Sequence, residues 1–279
     1  MLISEIFGFG VDDQSEAAWR SRKSKLCPFR GTKCTKTSKE DPLGICSLSD
    51  GNEAAAVCPV RFLENDRIFK DAARLAFGEN VAIGIYPEVR ILKIEAEAES
   101  ERDRKIGKVD FLIGKIEQGK IIDFAAVEVQ AVYFSGTTIR PAFNHFLVNR
   151  SLDRSISDRR PDFRSSAQKR LVPQLQLKVP VFRRWAKKFF VAVDSQFFSA
   201  LPAFGHSSKG NSEITWLSYP IAKQGRNYNI GDARVVYSEW DEVKNALREG
   251  APPEPDEIIE ELQLKLDGKY GKKPRIITG

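Results

Sequence analysis

The spacing of apolar and polar positions changes along the chain, and each change predicts an element. Ile68, Phe69, Ala72, Ala73, Leu75 and Ala76 recur at helical spacing, and Gly78 supplies a stop, so residues 66–77 should form a core helix. Residues 81–86 read as a strand or loop ended by Pro87. Glu88 then suits a helix first turn, where a carboxylate stabilises exposed N–H groups. Two β-rich runs follow, residues 107–113 and 121–130. The Gly119-Lys120 turn between them predicts an antiparallel hairpin. Further strands are expected at residues 188–194, 214–219 and 234–237, with a short helix opening at Gln196-Phe197-Phe198. Residues 167–185 carry an amphipathic basic helical pattern that holds Pro173 and Pro180 and must therefore kink or break. Together these elements predict an α/β fold, a mixed sheet flanked by helices.

The rest of the chain is less regular. Residues 1–24 combine a glycine-punctuated apolar start with a short helical pattern and read as packing support. Residues 25–60 carry too few apolar positions for a core of their own, and residues 143–164, rich in Asn, Ser and Arg, read as a long surface loop. The alternating acidic run at residues 95–105 reads as a solvated surface. After the break at Pro252-Pro253-Glu254-Pro255, a helix at residues 256–266 is expected as a peripheral packing or dimer element. Lys269, Lys272, Lys273 and Arg275 form a loose basic end. The expected division is an N-terminal module over residues 1–65 and a main domain over residues 66–279.

Composition narrows the class. The 279 residues, 42% hydrophobic and 29% charged, suit a soluble globular protein with a substantial core. No apolar run reaches the roughly 18 residues of a membrane helix. The N-terminus lacks the charged and apolar regions of a signal peptide, so a cytoplasmic address is expected. The net charge of +6 is unevenly spread: residues 140–188 hold thirteen Lys and Arg against three Asp, which leaves the remainder at −4. Such an excess favours a polyanionic partner, because cations near phosphates gain by counterion release. Arg140, His145, Arg150, Arg154, Arg159, Arg160, Lys169 and Arg170 are the candidates for contacting DNA there, and Arg22, Lys23, Lys25, Arg30, Lys33, Lys36 and Lys39 could reach a backbone from the N-terminal side. Thr137 and Thr138 could donate to phosphate or cap the next helix.

Within the hairpin, the period of two puts Glu128 and Gln130 on one face, and the turn brings Asp110 back alongside. Acidic and amide groups inside an apolar run are costly unless paired or coordinated. This arrangement suits a hard cation such as Mg²⁺, which takes oxygen ligands and keeps several waters. Gln130 can neither accept a proton nor carry charge, so it is limited to orienting water or offering its amide oxygen. All four cysteines, Cys27, Cys34, Cys46 and Cys58, fall in one window. In a chain without an export signal they read as a tetrahedral thiolate metal site, with two disulfides or unrelated buried thiols as alternatives. Thiolates suit both Zn²⁺ and Fe.

Asp110 followed by Glu128-Val129-Gln130 resembles the PD-(D/E)xK nuclease core, in which an Asp on one strand precedes an acid-x-Lys on the next. Gln130 departs from that Lys as the NotI-like restriction endonucleases do. Leu26-Cys27-Pro28-Phe29, Cys34, Leu43-Gly44-Ile45-Cys46-Ser47 and Val57-Cys58-Pro59-Val60-Arg61-Phe62 are similar to that family's cysteine module, in the same order. The resemblance covers residues 3–135. It implies a Type II restriction endonuclease that cuts both strands of DNA with Mg²⁺, leaving 5′-phosphate and 3′-hydroxyl ends. Asp110 and Glu128 would be the metal ligands, Gln130 their companion and Glu88 a further acidic candidate, with the Val129 carbonyl beside them. It further implies a structural iron in the four cysteines, with zinc as the alternative, a homodimer, and a cognate DNA methyltransferase. The competing readings are a cysteine-metal DNA-binding regulator with an inert hairpin, and a nuclease of the same fold acting in repair or on RNA.

Overall fold

The computed structural model describes residues 2–36, 41–49, 51, 53–92, 107–135, 139–152, 160–248 and 253–277. The expectations for Lys39, the 95–105 run, Thr137, Thr138, Arg154 and Arg159 lie outside these residues. Met1–Leu247 form one compact unit and Arg248–Gly279 a second. The second unit contains a single described helix, Pro255–Leu266, with an acidic first turn and no buried residue.

Strands β1 (Leu2–Ile6) and β2 (Phe9–Gly10), helix α1 (Glu16–Ser24) and a small ribbon of β3 (Leu26–Cys27) and β4 (Thr32–Lys33) open the chain. Strands β5 (Ile45–Ser49) and β6 (Ala54–Ala56) then join the first two in a four-stranded antiparallel sheet ordered β2-β1-β5-β6. Residues 25–60 are therefore better packed than their local composition suggests. Leu43, Ile45, Leu48 and Val57 share a buried cluster with Ile3, Ile6 and Phe7 and with Phe143 and Phe146 of a later helix. The apolar partners are distant in sequence, so a window over residues 25–60 undercounts them.

A 3₁₀ stretch (Pro59–Asp66) leads into α2 (Arg67–Phe77), and Gly78, at φ +97°, ends that helix as its sequence requires. Next come β7 (Ile83–Arg90), β8 (Lys108–Glu117) and β9 (Lys120–Val129). The turn between β8 and β9 is Gln118-Gly119, both at positive φ, a two-residue geometry that matches the twist of a hairpin. A short β10 (Tyr133–Ser135), α3 (Arg140–Asn149), β11 (Arg160–Asp162) and α4 (Phe163–Ser166) precede a π turn at Ala167–Leu171 that runs directly into α5 (Val172–Arg184). The chain closes this unit with β12 (Phe189–Asp194), α6 (Ser195–Ser199), β13 (Ile214–Tyr219), the hairpin β14 (Ile221–Gln224) and β15 (Asn227–Ile230), β16 (Arg234–Ser238) and α7 (Trp240–Arg248).

The main sheet has the order β16-β13-β12-β9-β8-β7. Strand β12 runs parallel to β9 and to β13, and the outer pairs are antiparallel, so the sheet is mixed. Along β12 the faces alternate: Phe189, Val191 and Val193 pack with Leu175, Val179 and Phe182 of α5, whereas Phe190 and Ala192 pack with Ile68, Phe69 and Ala72 of α2. This two-sided burial explains why β12 is apolar at nearly every position. The proline-bearing run does not break: Pro173 sits in the first turn of α5, where its missing N–H costs little, and Pro180 lies inside a helix that runs from Val172 to Arg184.

Three expectations are corrected. Strand β7 continues through Pro87 to Arg90, because it is an edge strand, where a missing N–H is tolerated. Glu88 therefore caps no helix; it sits inside the strand at φ +52°. Residues 143–164 are not one loop, since Ala142, Phe143 and Phe146 form the buried stripe of α3, and β11 and α4 follow.

Candidate active site

The β8–β9 ladder stops at the pair Phe111 and Val127. One step further, where Asp110 faces Glu128, the strands exchange side-chain bonds in place of backbone ones. The Asp110 N–H donates to Glu128 Oε1 at 3.0 Å, and the Val129 N–H donates to Asp110 Oδ2 at 2.9 Å. Each strand thus gives its free amide to the other's carboxylate, which fixes both acids at the mouth of the splayed hairpin. On its other side β9 stays tied to β12, where the Gln130 N–H donates to Ala192 O at 3.0 Å.

Glu128 is 4% exposed. Burial pushes its carboxyl up to about 7 and the nearby Asp110 charge adds to this, while Lys178 acts in the opposite sense. Lys178, on α5, donates to Glu128 Oε1 at 2.6 Å and to Gln174 Oε1 at 2.6 Å. It is as buried as its partner. In the sequence this lysine is one of the thirteen cations of residues 140–188. The signal was its position: Leu171, Leu175, Lys178 and Phe182 follow one another at spacings of three and four, so a cation occupies the apolar stripe of its helix. Gln130 is also buried, and its Nε2 donates to Ala131 O at 2.6 Å.

Glu88 stands opposite Asp110 in the β7–β8 register, exposed, with Lys108 at 3.5 Å from its carboxylate. A cleft of about 510 Å³ opens here. It is lined by Asp110, Gln130 and Glu88 from the side of the hairpin, by Arg30 and Lys36 from the cysteine segment, and by Arg170 from the π turn. Arg170 lies over the Tyr133 ring at 3.3 Å. An adjoining pocket adds Lys169. Of the other candidates for DNA contact, Arg140 is ion-paired with Asp41, and Arg160 is exposed on β11. His145 contacts Ser151 O at 3.2 Å, while Arg150 lies over Trp19 and lines a separate pocket. On the N-terminal side, Arg22 is buried and donates to Asp13 O and Gly10 O at 2.8 and 2.7 Å, which removes it from the set. Lys25 pairs with Asp41.

The four cysteines are free thiols, three of them buried. Cys27 faces the N–H groups of Phe29 and Arg30, Cys58 those of Val60 and Arg61, and Cys46 that of Gly8; Cys34 Sγ accepts from Lys36 N–H at 3.4 Å. Burial raises the Cys27, Cys46 and Cys58 thiols above their ordinary range, and neighbouring cysteines add to it. Backbone donors at every sulfur suit thiolate ligands, so the donor chemistry fits a soft metal. Among the described residues, however, no group of three or more His, Cys, Asp or Glu side chains is drawn together as a metal would require. Neither is any helix among them long and apolar enough to cross a membrane.

No curated protein and no solved structure matches the chain. The family model described as restriction endonuclease NotI matches it over residues 15–230, a span that takes in α1, the four cysteines, the hairpin with Asp110 and Glu128, Lys178 and every strand of the main sheet except β16. The chain belongs to the NotI restriction endonuclease family and is a site-specific deoxyribonuclease.

Proposed function

We propose that the enzyme is a Type II restriction endonuclease of the PD-(D/E)xK kind, hydrolysing both strands of its DNA site with Mg²⁺ and leaving 5′-phosphate and 3′-hydroxyl ends. The observation that carries this reading is the pair Asp110 and Glu128, each locked by the other strand's amide, with Asp110 lining a cleft that also holds Arg30, Lys36 and Arg170. Asp110 and Glu128 would hold Mg²⁺, with Glu88 near enough in register to contribute. When bound, the ion would supply charge stabilisation at the phosphate and a more acidic water. Gln130 would help orient water from the same strand. The cations would hold the DNA backbone in register, as phosphate contacts do, and leave base reading to other groups.

The four cysteines would hold one iron, or zinc, in a structural role, and this reading rests on their backbone N–H donors. Because Arg30 and Lys36 follow Cys27 and Cys34 closely, ordering that segment would also fix two cations of the cleft. The enzyme would work as a homodimer in the cytoplasm, since two strands of a palindrome call for two symmetric sites. A cognate methyltransferase would protect the host's own sites. Plasmid cleavage with purified protein and Mg²⁺ tests the core of this reading. Discrete fragments from the wild type, absent with Asp110→Ala and with Glu128→Ala, are expected. Specific binding without cutting by the wild type would refute it.

A further inference from the structure

We propose that Lys178 of α5 is a positioning residue of the active site and supplies the buried cation that the hairpin motif lacks at Gln130. The inference rests on the nuclease reading above and deepens it. At the third motif position this chain has a neutral amide, and that amide is engaged by the carbonyl of its own neighbour, Ala131, at 2.6 Å. The cation that the hairpin brings to this end, Lys108 of β8, pairs with Glu88 at 3.5 Å and not with Glu128. Lys178 brings one from another element, fifty residues further on, and places it 2.6 Å from Glu128 Oε1.

Several features favour a positioning role over simple packing. The ammonium is held from two sides, by Glu128 and by Gln174 one helical turn earlier, so its direction is fixed. Its helix is anchored around it by the buried Leu171, Leu175, Val179 and Phe182. Lys178 and the Asp110 N–H both act on the same carboxylate oxygen, Oε1, which fixes the rotation of Glu128. Lys178 also lines a cleft of about 380 Å³ together with Asp110 and Glu88, so the charge stands at the edge of the site. A buried ion pair adds little to stability compared with apolar residues of similar size. A lysine retained in an apolar stripe is better explained by what it does to Glu128.

The test uses the full-length protein, a plasmid carrying its site and single-turnover kinetics in Mg²⁺, with DNA affinity measured in Ca²⁺. Lys178→Met should slow cleavage by about 100-fold, the usual scale for removing one preorganised charge, while DNA affinity stays unchanged. Adding Gln130→Lys to Lys178→Met should then recover about tenfold of the rate, a coupling typical of residues that share one site. A merely structural lysine would not be replaced by a cation on a different element. The proposal is overturned if Lys178→Met cleaves at the wild-type rate, or if its loss is not relieved by Gln130→Lys. Should Lys178→Met fail to fold, the same comparison is made in Lys178→Gln, and failure of both to fold also overturns it by assigning the residue to the fold. A wild type that does not cut at all would instead refute the nuclease reading.

Discussion

Asp194 ties the four-stranded N-terminal sheet to the six-stranded main sheet, and its removal should be costly. It lies fully buried at the end of β12, where Oδ1 accepts the Phe197 N–H at 2.8 Å as the N-cap of α6. Its Oδ2 accepts the N–H of Ala56, in β6, at 3.1 Å. The carbonyl of that same Ala56 takes the Val132 N–H at 2.7 Å, just after Gln130. Asp194→Ala leaves two buried N–H groups without an acceptor, at about 1–3 kcal/mol each. Removing a desolvated carboxyl offsets part of this, so a net loss of about 2–4 kcal/mol is expected. Asp194→Asn keeps one acceptor and turns an NH₂ toward the other donor, and should lose about half as much. Urea unfolding followed by tryptophan fluorescence would read both variants. An Asp194→Ala protein as stable as the wild type would refute the assignment of Asp194 as the link between the sheets.

Other consequences can be measured in the same way. Arg61 donates to both oxygens of buried Glu5 at 2.9 and 3.0 Å, to Glu64 and to Tyr228 O, so Arg61→Met should cost about 3–5 kcal/mol by stranding Glu5, and adding Glu5→Gln should recover part of that loss. Burial raises Asp194 to about 7 from an ordinary 3.8. A raised acid favours the folded state when protonated, so its contribution is complete below about pH 4 and lost as pH rises through 7, by at most about 4 kcal/mol; Asp194→Asn should reduce the fall of urea midpoints across that window, leaving the part due to Glu128, which is raised to about 7 as well. Phe182→Ala, at the aromatic contact of α5 with Phe124, Trp185 and Phe189, should cost about 3–5 kcal/mol, read by the same unfolding assay. Chelating the proposed cysteine-bound metal should loosen the β3–β4 ribbon in hydrogen exchange but spare the apolar cluster of Ile6, Ile45 and Leu48. Global unfolding on chelation would show that this core cannot hold the sheet alone.

The hairpin was legible because its code is local: a two-residue turn and strand periodicity put Asp110 and Glu128 side by side without reference to the rest of the chain. The same holds for α2, whose stripe and Gly78 stop are read within twelve residues. What escaped reading depends on distant partners. The N-terminal sheet draws its apolar contacts from residues 3–7, 43–57 and 139–146, so no window over the cysteines could count them. Pro87 misled because its effect depends on whether the strand is an edge, which is a property of the sheet. Lys178 was hidden by kind: a lysine in a basic stretch looks like surface until the stripe of Leu171, Leu175 and Phe182 on the same face is noticed.

The location of the carboxylate pair follows from where the sheet changes character. Strand β9 is antiparallel to β8 on one side and parallel to β12 on the other. At its C-terminal end the two demands separate: β9 stays bonded to β12 as far as Gln130, while the β8 ladder has already ended at Phe111. The divergence frees the amides of Asp110 and Val129, and the carboxylates take them. Binding of these acids is therefore a product of the strand order, and the same divergence opens the cleft in which they stand. The Glu128 side chain then points toward α5, which supplies Lys178. A substitution that closed the splay would be expected to restore backbone pairing and abolish the site without unfolding the sheet.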